Sequence, residues 1–99
     1  MTTIELTRFR VAPERTEELL SARPAMLADF RADRTGFLDA RLVSLPNDEW
    51  LDIVAFATPE DREASRAKGA NLPGIAAFFA AIDSLVGAED GTLAEVAEP

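Results

Sequence analysis

Two runs with the two-residue period of a strand, Phe37 to Leu45 and Trp50 to Thr58, are separated only by PNDE (Pro46 to Glu49), a four-residue loop. A break that short closes a hairpin between antiparallel neighbours, because a parallel return needs roughly a dozen residues or more. The hairpin is the fixed centre of any fold this chain adopts. Its second strand puts Leu51, Ile53, Ala55 and Ala57 on one face, and Trp50, Val54 and Phe56 on the other with Asp52 among them. Both faces carry apolar weight, whereas a sheet with one wet face alternates apolar with polar. Something must cover each side.

The flanking segments supply one cover. Thr2 to Val11 reads as a strand, with Ile4 and Leu6 on one parity and Phe9 and Val11 on the other, as two-sided burial or a bulge produces. Pro13 suits a first helical position, and Leu19, Ala22, Met26 and Phe30 recur at helical spacing. Pro24 inside this pattern predicts a kink or a restart, and Gly36 a left-handed cap. Beyond the hairpin, Thr58-Pro59-Glu60-Asp61 is a capped helix start, and Gly69 stops that helix after Lys68. A further helix is expected from about Asn71, as its cap, through Ile75, Phe78, Phe79, Ile82 and Leu85 to Gly87, with Gly91 to Pro99 as a short last strand. The order is β-α-β-β-α-β with a broken second helix. This is an α+β, ferredoxin-like pattern with an antiparallel sheet. Residues 1–99 leave room for a single domain.

Composition narrows function mainly by exclusion. The chain has no cysteine and no histidine, which removes disulfides, thiolate nucleophiles, imidazole bases and the usual zinc sites. Absence of cysteine fits a reducing cytoplasm. The formal charge is −8, and residues 69–99 hold five acids with no Lys or Arg. Phosphate backbones and anionic lipid need clustered cations, so the balance argues against nucleic acid and against a membrane surface. No run is long and apolar enough for a membrane span, and the N-terminus lacks an apolar signal core.

FRVAPERTEELL, TGFLDARL and DIVAFATPED fall in one order along the chain, followed by an acidic and apolar second helix. Together they resemble the antibiotic biosynthesis monooxygenase-like family of dimeric α+β barrels, over about residues 2–97. The resemblance implies a ferredoxin-like subunit whose sheet packs on a partner's sheet, hence a homodimer. It also implies oxidation of aromatic polyketide or quinol-type molecules by molecular oxygen, with no cofactor and no metal. Haem-degrading members carry Asn, Trp and His where this chain has Thr7, Phe56 and about Ala67. With no His or Tyr to ligate iron, haem degradation falls away. The alternative is a non-catalytic dimeric binding or accessory domain that keeps the scaffold without the site.

If PNDE sets the hairpin register, Leu45 faces Trp50, Val43 faces Asp52 and Arg41 faces Val54. Asp39, Arg41 and Asp52 would then form one polar cluster, in which Arg41 steadies a phenolate or oxyanion while a carboxylate takes a proton. The structural counterpart is a cross-strand ion-pair ladder. Thr7, Trp50 and Phe56 are the candidate contacts to a small aromatic ligand, although a lone Trp beside a loop and a strand Phe are commonly packing residues. Trp50, Val54 and Phe56, with Phe37, Val43 and Leu45, are expected on the face that a second copy covers.

Overall fold

The hairpin closes one residue tighter than its spacing implies. In the computed structural model, which describes residues 1–99, the Leu45 N–H donates to the Glu49 carbonyl at 2.8 Å across Pro46, Asn47 and Asp48. Asn47 and Asp48 reverse the backbone with φ of 65° and 61°, a left-handed conformation that these two residue types tolerate better than most. Strands β2 (Phe37–Ser44) and β3 (Glu49–Phe56) therefore pair Ser44 with Trp50, Leu42 with Asp52 and Arg41 with Ile53. A one-residue slip exchanges every face relation between two strands. Asp39, Arg41 and Val43 thus share a face with Leu51, Ile53 and Ala55, and the expected pairings of Arg41 with Val54 and Val43 with Asp52 are corrected.

The other elements are β1 (Thr3–Arg10), α1 (Thr16–Asp33), α2 (Pro59–Lys68), α3 (Pro73–Ala80) and β4 (Ser84–Thr92). The sheet is antiparallel throughout, in the order β2-β3-β1-β4. With its second helix broken into α2 and α3, this is the ferredoxin-like α+β fold. A 3-10 turn at Pro13–Arg15 leads into α1. That helix runs unbroken through Pro24. Pro24 is exposed, as is Leu20, whose carbonyl a proline four residues on leaves without its helical donor. The cap of α1 is Arg34, not Gly36, which sits at φ 77° in the turn before β2.

Thr58 caps α2, its hydroxyl accepting the Asp61 N–H at 3.1 Å, and Gly69 at φ 58° ends it. Leu72, not Asn71, occupies the capping position of α3. Gly74 lets α3 approach α1 closely: a Cβ there would stand 2.5 Å from the Ala25 carbonyl oxygen. The helix then stops at Ala80, well short of the expected Gly87. Asp83 explains the early stop. Its carboxylate takes the Ala12 N–H at 2.6 Å and the Arg15 guanidinium at 2.7 Å, while its own N–H donates to the Arg10 carbonyl at 3.0 Å. Those bonds start the pairing of β4 with β1, so Gly87 and Gly91 lie inside a strand.

The helices cover the sheet face that bears Phe9, Trp50, Val54 and Phe56, all buried. Phe78 packs edge-on to Phe9, and Phe37 links Phe30 to Phe56 in the same manner. Trp50, Val54 and Phe56 were expected to face a partner and are instead core. The opposite face bears Ile4, Leu6, Leu51 and Ile53, half-buried, and Val43 and Val86, exposed. No helix is long and apolar enough to cross a membrane.

Candidate functional site

Along the helix-covered side of β1, Thr3, Glu5 and Thr7 precede Phe9. Three polar residues on the inner face of a central strand mark a place where the core does not close. Opposite them on β3, Asp52 pairs with Thr7 and Val54 with Glu5. α1 packs along α3, whereas α2 lies against β1 and β3. A cavity of about 350 Å³ opens here, within the range of small-molecule sites. Glu5, Thr7 and Asp52 belong to its sheet floor, and Met26, Phe30, Phe79 and Ile82 give it apolar walls. Arg34, Ser65 and Arg66 add polar groups from the helical side.

Asp52 is not free in the floor. Both its oxygens accept from Arg23 of α1, at 2.7 and 2.8 Å, and each side chain is 11% exposed. A fork of two parallel charge-assisted bonds sets the orientation of the carboxylate as well as its charge. The Arg23 guanidinium also lies over the Phe78 ring, 5.1 Å from its centre. Local structure creates this pair: Arg23 falls on the same helical stripe as Leu19, Met26 and Phe30, so α1 delivers it to the sheet.

Arg34 continues that stripe one turn past Phe30. Its side chain is 2% exposed, with the guanidinium 5.0 Å from the centre of the Phe30 ring. Nε donates to Ser65 Oγ at 2.8 Å, and Nη1 to Asp33 at 2.8 Å and to Asn71 Oδ1 at 2.7 Å. Nη2 donates to the Gly69 carbonyl. Asn71 was expected to cap α3; it instead ties Arg34 to Asp33, to which its amide donates at 3.1 Å. That bond, with a second from Lys68, holds the Asp33 carboxyl below its usual range. At the rim, Arg66 bridges Glu5 of β1 at 2.9 Å and Asp90 of β4 at 3.2 Å. The Glu5 bond raises the Arg66 pKa, which keeps an already permanent cation charged.

Of the residues the sequence singled out, Thr7 and Asp52 meet at the cavity floor. Trp50 and Phe56 are buried on the same side of the sheet but outside the cavity lining. Asp39 and Arg41 lie on the other face of the sheet, exposed, so the proposed cluster with Asp52 does not form. The slip of the hairpin by one residue is the cause. Arg23, Arg34 and Glu5 were missed, although the signal was present: charges at positions where an apolar stripe or an inner strand face should be. No group of three carboxylates converges as a metal site would require.

No family model matches the sequence, and no curated protein matches it. Solved structures do. SnoaB, a cofactor-independent oxygenase from Streptomyces nogalater, matches with a TM-score of 0.73 at 20% identity, over 96% of this chain and 95% of that one. A protein from Chloroflexus aurantiacus J-10-fl, provisionally named an antibiotic biosynthesis monooxygenase, gives 0.69 at 16% identity over 99% and 98%. Rv0793 from Mycobacterium tuberculosis gives 0.62 at 17% identity over 99% and 98%. At such identities the likeness is one of fold, and at that level the resemblance to antibiotic biosynthesis monooxygenases holds.

Proposed function

We propose that the chain is a cofactor-independent monooxygenase that oxidises a small aromatic molecule, of the polyketide or quinol type, inside the cavity. The observation that carries this reading is the cavity itself: aromatic and aliphatic walls around a floor with a few fixed polar groups. The reaction asks little covalent work of the protein. For a ring methylene flanked by aromatics, CH2 becomes C=O. One oxygen atom enters the product, and the other leaves as water with both hydrogens. All four electrons come from the substrate, so a reductant is not needed. What the chain supplies is a dry site, an orientation, and charges that favour loss of the first proton. Thr7 offers a hydroxyl to the substrate, and Phe30 and Phe79 hold flat rings.

The likeness of fold to a cofactor-independent oxygenase supports the same reading. So does the outer sheet face, whose apolar residues suit a second copy; the working unit in this reading is a homodimer. The test is oxygen uptake with anthrone- and quinol-type substrates after exhaustive chelation. Uptake should persist, and Thr7→Leu, which fills the floor, should reduce it at least tenfold. Uptake that vanishes on chelation and returns with iron or copper would overturn the proposal. One observation favours a second reading, a ligand-binding domain without turnover. Asp52 and Glu5 are each already paired with an arginine, so neither stands free as a base. Tight aromatic binding with no oxygen uptake would select it.

A further inference from the structure

The charges around the cavity do not balance evenly. Asp52 is matched by Arg23, while Glu5 and Asp90 are matched by Arg66 and Arg62. At the Arg34 end, two cations, Arg34 and Lys68, share one carboxylate, Asp33. All three donors that reach the Asp33 carboxylate converge on a single oxygen, Oδ2, and Lys68 also donates to the Asp33 backbone carbonyl at 2.7 Å. The other partners of Arg34 are neutral: a serine hydroxyl, an asparagine carbonyl and a backbone carbonyl. One positive charge is therefore left over. Lys68 is exposed enough for solvent to screen it, whereas the Arg34 side chain is 2% exposed and lines the cavity. A guanidinium has five N–H groups, and the bonds above occupy four. The fifth, on Nη2, is without a partner.

We propose that Arg34 makes this cavity select anions: the ligand is a weakly acidic aromatic, a phenol or an enolisable aryl ketone, bound in its ionised form with the anionic oxygen against the Arg34 guanidinium. This rests on the cavity being the substrate site, and it specifies the acid–base class of that substrate. The physical reason is that a buried cation whose one carboxylate is shared with Lys68 acts through a low effective dielectric, so it lowers the cost of an anion beside it far more than a solvated one does. The guanidinium is also held rigid. Phe30 backs its plane, and its four existing bonds span α1, α2 and the Gly69–Asn71 turn, so no reorganisation is needed when charge develops. The role that sequence reasoning gave to Arg41 on the hairpin falls to Arg34 at the end of α1.

A nitrophenol that cannot be oxidised serves as the probe, because its phenolate has an absorption band of its own. Titrated with the whole protein, the bound probe should ionise at least one pH unit below the free one, equivalent to a tenfold preference for the anion. Its methyl ether should bind at least tenfold more weakly than the phenolate. Arg34→Met should abolish the shift and Arg34→Lys keep part of it. Arg34 is buried, so Arg34→Met can fail to fold; Asp33→Asn is then the second variant. Removing the shared carboxylate leaves a larger positive excess and should lower the bound probe's ionisation further. A bound probe that ionises at or above its free value overturns the proposal and leaves the oxygenase reading standing. So does a folded Arg34→Met that retains the shift. Failure of every aromatic probe to bind overturns both.

Discussion

Arg23 and Asp52 form the most consequential pair of side chains in the protein, because each is tolerable in its place only through the other. Burying one unpaired charge costs several kcal/mol, and removing one partner of a buried pair typically costs about 3–5 kcal/mol. Arg23→Leu should therefore destabilise the chain by about that amount in urea unfolding. The double variant Arg23→Met with Asp52→Leu should recover most of the loss, since two apolar side chains replace two charges. A double variant no more stable than the single one would show that the pair is not the source. Such residues were legible in part. Asp52 stands out as the one charge among Trp50, Val54 and Phe56, and the strand register implied by the loop length points to Arg41 as its neighbour. The helical stripe Leu19, Met26, Phe30 held the answer at Arg23, one position that an apolar count passes over.

At the scale of elements, the hairpin strands, the Thr58 cap and the Gly69 stop lie where their local chemistry puts them, whereas α1 runs unbroken through Pro24 to a cap at Arg34 and α3 is capped by Leu72. Two further boundaries differ from the sequence expectation. The turn closes on Glu49 because Asn47 and Asp48 both accept positive φ, a choice between loop geometries that composition alone leaves open. The start of β4 depends on Asp83, whose partners Ala12 and Arg15 are far away in sequence. Apolar spacing read Ile82 and Leu85 as more helix; tertiary bonds overrode it. Asp83 also gives that junction a pH dependence. The Ala12 N–H, then Arg15, hold its carboxyl below the usual 3.8. Its folded value is depressed, so the stabilisation is present in full above the unfolded value and is lost as pH falls through the folded one. Asp83→Asn should thus be less stable than the parent near neutral pH, and the gap should narrow as the solution is acidified below about pH 4. Thermal unfolding across that range reads the gap directly, and a gap independent of pH would remove Asp83 as its cause.

For the whole molecule, the question is what covers the outer sheet face. The candidate site needs only the helical side, yet Ile4, Leu6, Val43, Leu51, Ile53 and Val86 remain on the other, with Val43 at 38% and Val86 at 44% exposure. Full burial of such a side chain stabilises by about 1.5–3 kcal/mol, and each of these still has part of that to gain. A second copy suits the electrostatics as well as the apolar surface. The chain carries −8 overall, but this face holds Arg8, Arg10 and Arg41 beside Asp39, Glu49 and Glu89, and so is locally neutral. Under two-fold symmetry each copy can present either sign to the other. A standard interface takes about 800 Å² from each partner, a modest part of the 5956 Å² surface of one copy. Parity decides which variants test this. Ile53→Asp places a charge in the outer face and should yield a folded monomer of 10.7 kDa by light scattering at micromolar concentration. Val54→Asp, one residue away, places it under the helices where Val54 is 5% exposed, and should unfold the chain. A parent protein that is already monomeric there, or an Ile53→Asp that stays dimeric, would show that the outer face is not where two copies meet.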